Sequence, residues 1–242
     1  MIVMAIDTCD ARGSVAVLQD DAVLASAVHD SAENYSVWLL PAVEHCLGAA
    51  GITMSAVELY AVSVGPGSFT GVRMGLATVK AWVEVFEKPA AAVSRLAVLA
   101  AANTADGTYV AAAIDGHRGQ VFGALYRRTG DGEIASMSAE MVIAPESFVA
   151  FVSAESGDAR VEWVSTDPGM IIERPEWGER EARGEEMLSV PCVLAPMIGK
   201  YGWQKSLRGE VVDALGLDAY YVRRPDAEAF WKRVTAANPV GR

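Results

Sequence analysis

The stretch Tyr109-Val-Ala-Ala-Ala-Ile-Asp115, followed by Gly116-His-Arg-Gly119-Gln120-Val121, repeats the way the chain opens. There an apolar run ends in Ile6-Asp7, a polar turn follows, and Gly13-Ser14-Val15 begins the next run. Both copies read as a strand ending in Ile-Asp, a turn, and Gly-x-Val entering a second strand. Around the first copy, Ile2–Asp7, Gly13–Leu18 and Ala22–Val28 read as strands and Ser36–Ala50 as a helix. Around the second, Glu133–Ile143 supplies a third strand and Pro145–Val152 a helix. Two such units in tandem predict a duplicated α/β fold with its boundary near Ala105–Gly107, giving units 1–106 and 107–242. The other account is that strand-to-Asp turns recur in any α/β protein.

Between the copies, Glu58–Val64 reads as a buried strand, Phe69–Phe86 as a long helix, Pro89–Val93 as a short strand and Arg95–Asn103 as an Ala-rich helix. Pro41 is compatible with the first helix only if that helix starts close before it. The turn from Gly65 to Arg73 is neither a dinucleotide fingerprint, which needs a glycine at position 70, nor a P-loop ending in Gly-Lys-Ser/Thr. Its glycines read as permitting a tight turn and close packing, with Ser68 or Thr70 capping the helix. An anion at that helix start is the alternative. Arg174–Glu186, crowded with Glu and Arg, reads as a solvated loop.

Of the 242 residues, 52% are hydrophobic and 21% charged, which supports a packed core and excludes wholesale disorder. The uncharged run Leu59–Val72 is broken by Gly65-Pro66-Gly67 and falls short of the roughly 18 apolar residues of a membrane span. Met1–Asp10 has no basic n-region, so it does not read as a secretory signal. The cysteines Cys9, Cys46 and Cys192 are far apart and in no metal spacing, which points to a reduced, cytoplasmic setting. A net charge of −11 disfavours strong binding of nucleic acid by this chain alone. The tail from Tyr220 is mildly basic, with Arg223, Arg224, Lys232, Arg233 and Arg242 among Tyr221, Phe230 and Trp231. It permits contact with an acidic partner or RNA, the commoner explanation being a docked terminal segment with solvated charges.

Asp7, Thr8 and Ser14 cluster at a strand–turn–strand corner, where a carboxylate and hydroxyls can orient a metal-bound phosphate. Asp115 can face them from the second unit. The plainer account is that these side chains bond turn amides. His29, His45 and His117 have no metal-ligand spacing, and no Gly-x-Ser-x-Gly elbow is present.

The two helices of the first unit carry a stronger signal. Val72, Leu76, Val79, Val83 and Phe86 form one apolar stripe, while Met74, Ala77, Ala81, Trp82 and Val85 lie on other faces. Trp38, Leu39, Leu40, Val43, Cys46 and Leu47 make the preceding helix similarly apolar. Helices apolar on two sides are buried between layers or covered by another subunit, and covering by a subunit is the expectation here.

Met4-Ala5-Ile6-Asp7-Thr8, Leu39-Leu40-Pro41 and above all Gly65-Pro-Gly-Ser-Phe-Thr-Gly-Val-Arg-Met-Gly75 resemble the TsaB (YeaZ) family. Ile114-Asp115 with Arg118-Gly-Gln-Val-Phe122, and Tyr221-Val-Arg-Arg224, resemble further family stretches. The resemblance is dense over Met1–Ala102 and thin between Phe148 and Leu217. It implies an actin/Hsp70-like (ribonuclease H-like) fold: two mixed-sheet units, the second reduced. It also implies a partner subunit, without catalysis of its own, in tRNA N6-threonylcarbamoyladenosine modification. By that resemblance the partners are a TsaD-like catalytic subunit and a TsaE-like ATPase, with tRNA met only through the complex and a homodimer when alone. No cofactor is implied for the chain itself, ATP or ADP with magnesium entering at the level of the complex. The partner contacts map to Ser36, Trp38, Leu39, Leu40, Val43 and Leu47, and to Phe69, Thr70, Arg73, Met74, Leu76, Ala77, Lys80, Ala81 and Trp82. The chain departs from the pattern at Tyr35-Ser36-Val37-Trp38, Cys9 and Gly116-His117. The rival reading is an actin-like phosphotransferase or nucleotide hydrolase using Asp7, Thr8 and Asp115. Peptidase activity, an old label on related sequences, lacks histidine ligands and a nucleophile elbow.

Overall fold

Alternation along the first strand sorts its side chains onto two cores: Val3 and Ala5 face one, Met4 and Ile6 the other. In the computed structural model this strand, β1 (Ile2–Asp7), is the middle of a five-stranded sheet. The structure describes residues 1–30, 34–102, 108–129 and 133–223. Antiparallel β2 (Ser14–Gln19) and β3 (Ala22–Val28) flank β1 on one side. Parallel β4 (Leu59–Gly65) and β5 (Ala90–Ser94) complete the other. Three helices accompany this sheet: α1 (Tyr35–Ala50), α2 (Phe69–Phe86) and α3 (Arg95–Ala101).

The second sheet repeats the plan. Its β6 (Tyr109–Asp115) pairs antiparallel with β7 (Val121–Arg128), which carries the short strands β8 (Ile134–Ser136) and β9 (Met141–Ile143). After α4 (Pro145–Ser156), β10 (Val161–Ser165) returns parallel to β6. The short helices α5 (Gly169–Ile172) and α6 (Trp177–Ala182) lead to parallel β11 (Met187–Ser189) and then α7 (Ala195–Leu207). Strand for strand, β7-β6-β10-β11 matches β2-β1-β4-β5. This is the duplicated actin-like architecture expected from the sequence.

Three apolar clusters define the layers. The outer face of the first sheet packs Met4, Ile6, Val15, Val17 and Val62 against Leu39 and Val43 of α1 and Val72, Leu76 and Val79 of α2. The central core joins the inner faces of both sheets through Leu96 and Leu99 of α3 and Ala195 and Ile198 of α7. The far face of the second sheet packs Ala111, Val121 and Trp163 under Phe148, Val152, Ile171 and Trp177.

Helix α7, though it comes late in the chain, lies on the first sheet. A Cβ at Gly199 or Gly202 would press into Leu18 and Ala5, or into Ala61 and Ala91. The expected division at residue 106 falls at Ala105–Gly107, outside the described residues, as do Arg224, Phe230, Trp231, Lys232, Arg233 and Arg242 of the basic tail.

The structure corrects three local expectations. The single strand Glu133–Ile143 is two strands, because Met137 and Ser138 break away and donate their amides to the Leu125 carbonyl. The solvated loop Arg174–Glu186 instead contains α6, whose Arg180 is 2% exposed and paired at 3.0 Å with Glu185. Glu185 also accepts from Trp163 Nε1 at 2.7 Å and the Val161 amide at 3.2 Å, so the charges serve a buried network. Pro41 sits well inside α1 rather than near its start, where the carbonyl it leaves without an amide belongs to exposed Val37.

Candidate docking face and the Asp7 corner

The turn after β4 is shaped by close backbone contact. A Cβ on Gly71 would collide with the Thr8 carbonyl, and one on Gly75 would lie 2.6 Å from Thr8 Oγ1. Thr8 Oγ1 donates to the Gly71 carbonyl at 2.7 Å, and the Ser68 amide donates to Cys9 O at 2.7 Å. Ser68 caps α2 by accepting from the Gly71 amide at 3.4 Å. The glycine-rich segment thus packs α2 onto the end of β1.

At that end Asp7 is fully buried, and Arg95, the first residue of α3, is 1% exposed. Arg95 Nε lies 3.1 Å from Asp7 Oδ2, Nη2 lies 3.1 Å from Asp10 Oδ2, and Nη1 donates to the Pro66 carbonyl at 3.3 Å. Burial works to raise the Asp10 carboxyl, but the Arg95 charge and the Ala11 amide outweigh it and hold the group below its ordinary value. Burial pushes the neighbouring Cys9 thiol up, so it stays protonated. Ser14 Oγ accepts from the Ala195 amide at 3.0 Å, satisfying the first turn of α7. Asp115 closes its own turn, accepting from the His117 amide at 2.6 Å. Asp7, Thr8, Ser14 and Asp115 are therefore engaged within the chain, and the residues present do not fit a magnesium–phosphate group at Asp7. Among the described residues, no three His, Cys, Asp or Glu side chains group as metal ligands.

Sequence reasoning missed Arg95. The signal was available: it is the sole charge between Lys88 and Asp106, and an isolated charge in an apolar run requires a buried partner.

The outward side of α1 and α2 is different in character. Leu39, Leu76, Val43 and Leu47, which the resemblance placed at the partner contact, are 2%, 5%, 5% and 9% exposed and belong to the chain's own core. A Leu76→Glu change would bury a carboxylate rather than test docking. The expected contact residues that do reach the surface are Ser36, Leu40, Thr70, Arg73, Ala77 and Ala81, with Trp38, Phe69, Met74, Lys80 and Trp82 half-buried. Leu40, Ile52, Met54 and Trp82 rim an open apolar groove of about 410 Å³, floored by Val43 and Leu47.

Neighbouring contacts set this face. Trp82 packs on Tyr60 with ring centroids 5.6 Å apart, and Trp38 stands edge-on to His29 at 5.0 Å. The Tyr35 hydroxyl donates to the Asp10 carbonyl, tying the start of α1 to the Asp7 corner. At the start of α2, Arg73 stacks 3.7 Å over Phe69 and donates to the Tyr221 hydroxyl at 2.8 Å. Beyond Tyr221, Arg223 donates to the Gly116 carbonyl at 2.8 Å and to Gln120 at 2.5 Å. The described part of the tyrosine–arginine stretch thereby straps the two units together.

Two mixed sheets of matching strand order around one central core make up an actin-like fold. A family model described as TsaD, tRNA N6-adenosine threonylcarbamoyltransferase, matches residues 23–167. The Escherichia coli TsaB is 33% identical over 207 residues, covering 80% of this chain and 87% of that protein. The Bacillus subtilis TsaB is 34% identical over 127 residues, and the match spans just over half of it, 56%. A solved Pseudomonas aeruginosa structure, described as similar to the peptidase YeaZ, is 30% identical with a TM-score of 0.73, covering 92% of this chain and 99% of that one. The chain belongs to the TsaB (YeaZ) family, whose curated members are named for tRNA threonylcarbamoyladenosine biosynthesis. Among the described residues, no helix is long and apolar enough to cross a membrane.

Proposed function

We propose that this chain is a non-catalytic subunit that binds and stabilises a TsaD-type threonylcarbamoyltransferase, docking through the outer side of α1 and α2. The observation that carries the reading is the open apolar groove between Leu40, Ile52, Met54 and Trp82. Covering such side chains contributes roughly 25 cal/mol per Å² of apolar surface before association costs are deducted. The match of residues 23–167 to a catalytic-subunit model supports a partner of like fold, so that helix pair can meet helix pair. The same face serves a homodimer when the partner is absent.

The net charge of −11 supports leaving tRNA contact to the partner. A TsaE-type ATPase joins the pair, and nucleotide with magnesium enters only with the complex. Co-expression with the TsaD-type protein of the same cell, followed by depletion and nucleoside analysis of tRNA, tests the reading. The expected result is a stable complex and loss of threonylcarbamoyladenosine on depletion. Undiminished modification, or no association, would overturn it.

A further inference from the structure

Three separate segments converge on one buried guanidinium. The end of β1 supplies Asp7 Oδ2, the following turn supplies Asp10 Oδ2, and the turn before α2 supplies the Pro66 carbonyl, at 3.1, 3.1 and 3.3 Å. Two carboxylate oxygens and one carbonyl are the hard donors that a divalent cation takes. The remaining Asp7 oxygen accepts from the Cys9 amide at 3.0 Å, and that of Asp10 from the Ala11 amide at 2.6 Å. Each carboxylate is thus fixed in orientation by backbone and turned toward its own nitrogen of the same guanidinium.

We propose that Arg95 is a resident internal cation occupying the seat of a divalent ion between Asp7 and Asp10. Two consequences follow from charge alone. With the guanidinium in place, a second cation meets a neutralised, filled corner, so the intact chain takes no divalent ion there. With the guanidinium removed, two inward-facing carboxylates are left without a countercharge, a costly arrangement that a divalent ion relieves. Truncating Arg95 therefore uncovers a cation site made of Asp7, Asp10 and the Pro66 carbonyl. Arg95→Lys keeps a charge in the corner and creates no such site.

The test compares the full chain, Arg95→Ala, Arg95→Lys and Arg95→Ala with Asp10→Asn, using manganese as the probe. Thermal unfolding and manganese spin resonance are read with and without millimolar manganese chloride. Arg95→Ala is expected to gain several degrees in Tm and to bind one extra ion relative to the unaltered chain. The unaltered chain and Arg95→Lys should show neither effect, and adding Asp10→Asn should abolish both. An Arg95→Ala protein indifferent to manganese, or a gain that survives Asp10→Asn, would overturn the proposal. So would saturable manganese binding to the unaltered chain that Asp10→Asn removes. Should Arg95→Ala fail to fold without a cation, refolding in manganese decides: recovery supports the site, and no recovery refutes it.

Discussion

Arg95 Nε and Asp7 Oδ2 lie 3.1 Å apart with both side chains shut away from solvent, 1% and 0% exposed. The same guanidinium reaches Asp10, whose carbonyl receives the Tyr35 hydroxyl, and Pro66, which precedes α2. The starts of α1 and α2 are thereby registered through a single side chain. The corner that carries metal–phosphate chemistry in the rival reading works here as a joint.

Asp10 gives this joint a pH dependence. Its folded-state carboxyl lies below the ordinary 3.8, so its ionised form stabilises the fold above that value, and the contribution is lost as pH falls through the lower, folded-state value. Asp10→Asn should lower Tm at neutral pH, and the deficit should shrink on acidification below about pH 3.8. A deficit independent of pH in differential scanning fluorimetry would refute the ionic account.

The proposed docking role and the folding role fall on different positions of α1 and α2. Leu40 is 58% exposed at the groove rim, and Ala77 lies exposed on the neighbouring helix. Leu40→Asp and Ala77→Arg should weaken the TsaD-type complex at least tenfold, about 1.4 kcal/mol, with Tm unchanged. Leu76→Ala, by contrast, should cost about 2–5 kcal/mol of stability in denaturant melts. Titration calorimetry beside those melts distinguishes the two classes.

Arg180 and Glu185, each 2% exposed by side chain, form the buried pair of the second unit. Arg180→Ala strands Glu185 against Trp163 Nε1 and should cost about 3–5 kcal/mol in urea unfolding. A change below 1 kcal/mol, taken as about the worth of an exposed pair, would show that water reaches the network.

Gly71 sits against the Thr8 carbonyl, which is backbone and cannot swing aside. Gly71→Ala should cost about 3 kcal/mol or more, or prevent folding, whereas Gly48→Ala, with open space around it, should leave stability near its original value. Equal expression and equal Tm for the two variants would contradict the packing role given to this turn.

Local pattern and long-range pairing explain what the sequence revealed. The range Phe69–Phe86 was legible because Ser68 marks its start and an apolar stripe runs its length. Ile2–Asp7, Ala22–Val28 and Tyr109–Asp115 were legible because apolar runs end at polar turns. The break at Met137–Ser138 was not, since it depends on the Leu125 carbonyl in another strand. Nor was Arg180, whose partners Glu185, Ser153 and Ser156 make a charged stretch fold inward. On α1 and α2, apolar composition marked both helices as apolar on more than one side but could not sort buried Leu39 and Leu76 from exposed Leu40 and Ala77, because the sheet decides which side is covered.

Helix α7 rests on β1, β2 and β4, and the Ser14 hydroxyl receives its first amide. On the ribosome, β1, β2 and β4 therefore wait for residues near position 207 before α7 can cover their inner face. A nascent chain halted before α7 has emerged thus exposes Val3, Ala5 and Leu18 to chaperones and proteases.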